Sequence, residues 1–155
     1  MHRERTQQNI YTACEKEGTF IPLAKIDVEQ IRSIVKVALI DLTAANEWAK
    51  KANKESGQWN AIYKLYYDVL HGLCEAFIHF DKIKVKTHEC LFAYLCEKHS
   101  ELELDWNFLE KVRTKRNGIQ YYGNPANYGD WKEIEVQINL CINTIKKALE
   151  KKLEK

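Results

Sequence analysis

The stretch Leu109-Glu-Lys-Val112-Arg113-Thr-Lys-Arg116-Asn117-Gly-Ile119-Gln120-Tyr121-Tyr122-Gly123 reads as the end of a helix that carries a cation on its apolar face. At about 100° per residue, Leu109, Val112, Arg116 and Ile119 share one narrow stripe, and every member except Arg116 is hydrophobic. A guanidinium on such a stripe points inward or into a cleft. There it needs an anion, carbonyl acceptors or water, because desolvating an unpaired charge costs on the order of several kcal/mol. Arg113 and Gln120 flank the stripe and Asn117 lies a little further round, so the pattern predicts a polar nest on an apolar wall, suited to a phosphate or a carboxylate. The competing reading is an interhelical salt bridge from Arg116 to Asp41, Asp68 or Glu75.

Outward from that segment the chain is dominated by helix signals. Residues 3–16 predict a short polar helix stopped at Gly18, and Phe20-Ile21-Pro22-Leu23 an extended link. Asp27 as N-cap with Gln30 three residues on predicts a capping box, and the stripe Ile31, Ile34, Val35, Ala38, Leu42, Ala45, Ala49 carries that helix to about Ala52. From Gln58 a second long helix repeats Trp59, Ile62, Tyr66, Leu70, Leu73, Phe77 and Phe80 at helical spacing. Ile83-Lys-Val-Lys86 alternates in polarity but is short enough to read as a loop. Thr87 caps a shorter helix, and the Arg116 helix starts near Asp105. Asn124 to Gly129 is a turn, and Asp130 with Glu133 predicts a capping box for a last helix striped by Trp131, Ile134, Ile138, Cys141, Ile145 and Leu149. The lysines gathered toward the end of that helix complement its dipole. The sum is an all-α fold, an antiparallel four- to five-helix bundle. Residues 1–26 supply the N-terminal short helix and extended link, and residues 27–155 the bundle, within one domain overall.

Composition bounds the function. A chain of 155 residues, 45% hydrophobic and 30% charged, is an ordinary globular domain. Its net charge of +2 is too mild to mark a nucleic-acid binder on its own, so any such contact would be local. The five cysteines are odd in number and form no CxxC pair, which argues against a zinc ribbon and against a disulfide framework; Cys74 and Cys141 read as core thiols. No metal-ligand spacing, cofactor motif, nucleophile elbow or glycine-rich phosphate loop is present. The N-terminus lacks a secretory signal and no segment approaches the roughly 20 apolar residues of a membrane span, so the expected compartment is the cytoplasm.

The order Arg116-Asn117, three further residues and Tyr121 resembles the motif of the HEPN family (higher eukaryotes and prokaryotes nucleotide-binding domains), in which Arg, a polar residue, three variable residues and a His stand near the end of a bundle helix. Tyr66-Tyr67-Asp68-Val-Leu70-His-Gly-Leu-Cys-Glu-Ala76 resembles that family's aromatic and small-residue helix, and His88 stands where members often have a His opening the next one. The resemblance covers about residues 58 to 123. It implies a HEPN-like helical bundle, a homodimer, and a nucleotide or RNA phosphate held by Arg116, Asn117, Arg113, Gln120 and Tyr121. In some members it also implies a small nucleotidyltransferase partner and a toxin–antitoxin or defence setting. The tyrosine that receives a nucleotide in such pairs would fall at Gly123, one residue past Tyr122, so that feature is not carried over.

HEPN ribonucleases cleave RNA without metal, with the Arg and His of two protomers meeting at the dimer interface. Here Tyr121 holds the His position, and a phenol titrating near 10 is a poor general base beside an imidazole near 6.5. The expectation is therefore a phosphate-binding protein that is weak or inactive as a nuclease, more a binder than an enzyme. A second reading is a non-enzymatic helical protein-interaction module in which Arg116 is a structural ion pair. A third is a metal-independent endoribonuclease with a histidine supplied from elsewhere, His88 and His71 being the candidates. His2, His79 and His99 read as surface residues, and Trp48, Trp59, Tyr63 and Tyr67 as stripe-edge aromatics that either face a partner or broaden the core.

Overall fold

The computed structural model describes residues 5–155; the expectations for His2 and for the first two residues of the N-terminal helix fall outside the described residues. Six α-helices and one small sheet are present among them: α1 (Gln7–Lys16), β1 (Phe20–Pro22), α2 (Val28–Lys51), α3 (Trp59–His79), β2 (Ile83–Val85), α4 (His88–Lys98), α5 (Trp106–Tyr122) and α6 (Tyr128–Leu153). The fold is all-α, as the apolar periodicity predicts, and its six helices are the expected short N-terminal helix and the five of the bundle.

Helix α3 is the axis of the fold. Ile62, Leu70, Leu73 and Ile78 have no exposed surface, and Trp59, Tyr63, Tyr66 and Tyr67 are buried with them. Of the four stripe-edge aromatics, Trp59, Tyr63 and Tyr67 thus broaden the core, and Trp48 keeps partial exposure. The buried aromatics place their polar ends on acceptors: Trp59 Nε1 donates to the Asn53 carbonyl at 2.9 Å and the Tyr66 hydroxyl to Asn46 Oδ1 at 2.5 Å. Around α3 pack α2, α4, α5 and α6. On α2 the residues buried deepest are Ile31, Ala38 and Ala45, and the two alanines let its backbone approach α3 closely.

Two segments expected as link and loop pair with each other. Phe20–Pro22 and Ile83–Val85 form an antiparallel ladder with Phe20 opposite Val85 and Pro22 opposite Ile83. Flanking bonds extend it, from Leu23 N–H to the Lys82 carbonyl at 2.8 Å and from Lys86 N–H to the Thr19 carbonyl at 3.3 Å. Each strand is only three residues long, and neither has an adjacent partner in sequence.

The disulfide expectation is overturned: Cys14 of α1 is bonded to Cys90 of α4 across a sequence separation of 76. Spacing rules read local pairs, and this one is created only when α1 lies along α4. Cys74, Cys96 and Cys141 remain buried thiols. The surface assignments of His79 and His99 also fail. His79 is 7% exposed, and His99 packs edge-on against Phe77 with its ring nitrogens 2.5 Å from Asp81 and 2.8 Å from Glu101.

Helix caps follow the predicted residue types, with one shift. Asp27, Thr87 and Asp105 cap α2, α4 and α5 through their side chains. The capping box of α6, however, is Asn127 with Asp130, not Asp130 with Glu133, and its two reciprocal bonds are both 2.9 Å. Pro125 two residues upstream stiffens the entry, so the helix begins one turn earlier than the acidic pair suggests. Asn127→Ala removes one of these bonds and is expected to destabilise the protein by about 1 kcal/mol. A urea midpoint that does not move would show that the box contributes nothing.

Candidate functional site

The Arg116 stripe meets α4 at a cavity of about 600 Å³ lined by Glu17, Thr19, Lys86, Thr87, His88, Glu89, Cys90, Arg113, Arg116, Asn117 and Tyr121. Three elements build it. Helix α5 supplies the arginines, Asn117 and Tyr121; the first turn of α4 supplies His88 and Glu89; the turn between α1 and β1 supplies Glu17 and Thr19. Thr87 spends its side chain on the Cys90 amide, 3.2 Å away, while the His88 and Glu89 amides, at the first two positions of α4, have no acceptor within the helix. They add the positive end of a helix dipole to a rim that already carries Lys86, Arg113 and Arg116.

The two arginines, three residues apart, have opposite fates. Arg113 is neutralised: its guanidinium donates to Glu110 through Nε at 3.0 Å and through NH2 at 2.8 Å, and to Glu89 at 2.8 Å. Arg5 shares the Glu89 carboxylate. Arg116 makes no ion pair among the described residues, so none of Asp41, Asp68 and Glu75 is the partner that the structural reading requires. Its Nε is buried without an acceptor, and its guanidinium carbon lies 5.5 Å from the centre of the Tyr67 ring. A cation–π contact orients the group but takes none of its hydrogen bonds.

Below Arg116 the aromatic layer continues into two imidazoles. The Tyr67 hydroxyl lies 2.8 Å from His88 Nδ1, and the His88 and His71 rings pack with centroids 3.8 Å apart. With the phenol as donor, Nδ1 accepts and Nε2 carries the His88 proton. Burial lowers the pKa of both histidines; beyond that, Arg116 and Arg113 lower His88 further, and His88 and Arg116 lower His71, to about 4. Tyr67 is raised, chiefly by burial, so the phenol stays protonated and keeps its bond to the ring.

Of the five residues predicted from the sequence, Arg116, Asn117, Arg113 and Tyr121 line the cavity, and Gln120 is exposed and lines neither this cavity nor its neighbour. The neighbouring cavity, about 550 Å³, shares Arg113, Asn117 and Tyr121 and continues past Lys115, Tyr122 and Asn124. Tyr121 is 69% exposed, so the residue at the His position of the resembled motif is a surface phenol at the mouth of the cleft. Lys86, Thr87, Glu89 and the Glu17–Thr19 turn were not foreseen as cleft residues. Glu110, three residues before Arg113, was the available signal that Arg113 would be satisfied locally. No group of histidines, cysteines and carboxylates able to hold a metal occurs among the described residues, and no described helix is long and apolar enough to cross a membrane.

No protein-family model matches the chain, and comparisons with curated proteins and with solved structures return no match.

The depressed His71 has a consequence for stability. The unfolded imidazole, near 6.5, takes up a proton that the folded one refuses until about 4, so the unfolded state binds more protons in that window. Stability should therefore fall as pH drops from 6.5 toward 4, and His71→Phe should reduce the slope. Equal slopes in wild type and variant, from denaturation midpoints across that range, would remove His71 as the cause.

Proposed function

We propose that this protein binds the phosphate of a nucleotide or of RNA in the α4–α5 cleft, as a HEPN-type protein does, with Arg116 as the principal anion ligand. The observation that carries the reading is the contrast between the arginines: Arg113 has two carboxylates, while Arg116 has a buried Nε with no acceptor on the wall of a cleft that also carries Lys86. A phosphate oxygen supplies the acceptor that the fold leaves out, and a guanidinium offers it a planar fork of donors. Asn117 and Tyr121 can add neutral hydrogen bonds at the mouth, and the α4 amides can add theirs.

His88 gives the cleft a pH response. Its lowered pKa leaves it neutral near pH 7, and an anion beside it favours the imidazolium, so binding takes up a proton. Affinity for a phosphodiester, whose own charge does not change in this range, therefore rises as pH falls below neutral.

A homodimer, a nucleotidyltransferase partner and a toxin–antitoxin role belong to the same reading and rest on the resemblance. For the dimer there is also local support, since Val37 and Ile40 on α2 and Val136 and Leu140 on α6 are exposed.

Arg116→Ala is expected to weaken binding of AMP or of a short oligoribonucleotide at least tenfold at fixed salt, with little change in Tm, because Asp68, the carboxyl that Arg116 favours in its charged form, is exposed and stays hydrated without it. Arg113→Ala should do the reverse. It strands Glu89 beside Glu110 and costs on the order of 1–3 kcal/mol of stability. If Arg116→Ala unfolds the protein and wild type shows no nucleotide affinity, the interaction-module reading stands in its place.

One observation favours the ribonuclease reading as a second: His88 shares the cleft with Arg116. In the other tautomer, with Nδ1–H donating to the Tyr67 oxygen, the free Nε2 could take the proton of a ribose 2′-hydroxyl as that oxygen attacks the adjacent phosphorus, while Arg116 holds the phosphate and the departing 5′-oxygen takes a proton from water. The products would be a 2′,3′-cyclic phosphate and a free 5′-hydroxyl. Incubation of RNA in EDTA should then yield these ends with wild type and not with His88→Ala; intact RNA at high protein concentration excludes it.

A further inference from the structure

The Cys14–Cys90 disulfide is not remote from the cleft; it closes the rim. From Cys14 the chain runs through Glu17 to Thr19, whose carbonyl accepts from Lys86 N–H, and from Lys86 through Thr87, His88 and Glu89 back to Cys90. Bond, turn and hydrogen bond form one ring, and Glu17, Thr19, Lys86, Thr87, His88, Glu89 and Cys90, all on that ring, line the cavity. Its α1 side is also held by packing, with Tyr11 against Phe20 and Tyr94 and Ile10 against the core, but the disulfide is the one covalent tie among the described residues. Helix α1 packs on α4; its other ties include Gln7 to Glu97 at 3.1 Å and Lys98 over the Tyr11 ring. Below the rim, the β1–β2 ladder of three residue pairs links this turn to the chain entering α4.

We infer that the Cys14–Cys90 disulfide is a redox latch on the phosphate-binding cleft, holding the Lys86–Glu89 segment in its binding geometry when oxidised and releasing it when reduced by a dithiol. The inference rests on the phosphate-binding reading above. Cys90 borders the cleft and Cys14 does not, so Cys90 is the first of the pair that an incoming thiolate meets when α1 lifts from α4. Attack on Cys90 Sγ breaks the S–S bond and forms a mixed disulfide, with Cys14 leaving as thiolate. The second thiol of the reductant then displaces Cys90. Two electrons and two protons pass to the protein as a pair of thiols, and the reductant leaves as its own disulfide. Both sulfurs are otherwise nearly covered, at 3% and 6% exposure, which makes the exchange depend on α1 lifting from α4.

Reduction leaves the core untouched, since α2, α3, α5 and α6 do not depend on the bond for their packing. What it removes is preorganisation. Lys86, the His88 ring and the α4 amides must then be ordered by the ligand, and that ordering weakens binding. Arg116 and Tyr67 lie outside the ring and keep their places, so affinity falls without vanishing.

The test is fluorescence anisotropy with a fluorescein-labelled short oligouridylate, on the air-oxidised protein and on the same protein after dithiothreitol. The state of the pair is confirmed by alkylation and mass spectrometry, and the fold by circular dichroism. The expected result is about tenfold weaker binding in the reduced state at unchanged helix content, reversed by oxidised glutathione and reproduced without reductant by Cys14→Ser. If that variant does not fold, the reduced wild type decides alone. Equal affinity in both states overturns the latch and leaves the phosphate reading intact. Absence of binding in both removes the reading and the latch together, and loss of helical signal on reduction shows a structural staple, which also overturns it.

Discussion

The fold depends on burying most of α3, of which only Ala61 and Asp68 are exposed. A helix with Ile62, Leu70, Leu73 and Ile78 wholly covered, and four large aromatics beside them, cannot sit at a surface. Each such side chain contributes on the order of 2 kcal/mol on leaving water, which holds α2 and α6 above all to α3. Helices α4 and α5 both pack on α3 as well, and the seam between their exposed edges becomes the cleft.

Within that seam, helical spacing sorts the charges. Arg113 emerges where α5 faces Glu89 of α4, with Glu110 one turn back, and the three groups lock α5 to the first turn of α4. Arg116, a further turn along, rotates onto the aromatic layer and finds a ring in place of a carboxylate. One guanidinium holds the walls together so that the other can stay unpaired between them. A desolvated, unsatisfied Nε is tolerable only where the cleft admits water or an anion, which links the local cost to an external ligand.

What was legible in the sequence is what helical periodicity and capping chemistry encode. The Asp27, Thr87 and Asp105 caps, the stripe of α3 and the inward turn of Arg116 all follow from spacing within one segment. What was not legible depends on two segments meeting. Ile83–Val85 is a strand only because Phe20–Pro22 lies beside it, and Cys14 meets Cys90 only because α1 crosses α4. Gln120 shows the opposite failure: it flanks the stripe in projection, yet near the end of α5 the wall has already curved away and the side chain faces solvent.

The same logic bears on Tyr121. Judged by motif position alone, a phenol in place of an imidazole subtracts the proton-transfer group from the site, and the chain reads as a binder. In three dimensions the imidazole has a different address. His88 enters the cleft from α4, its Nδ1 held by the Tyr67 hydroxyl and its face against His71. That hydrogen bond orients the ring, and burial, followed by the nearby guanidinium groups, lowers its pKa, so the histidine rests neutral until negative charge arrives. A neutral ring beside an unpaired guanidinium is poised to respond to an anion, whichever chemistry follows, because each charge that enters raises the proton affinity of the group beside it.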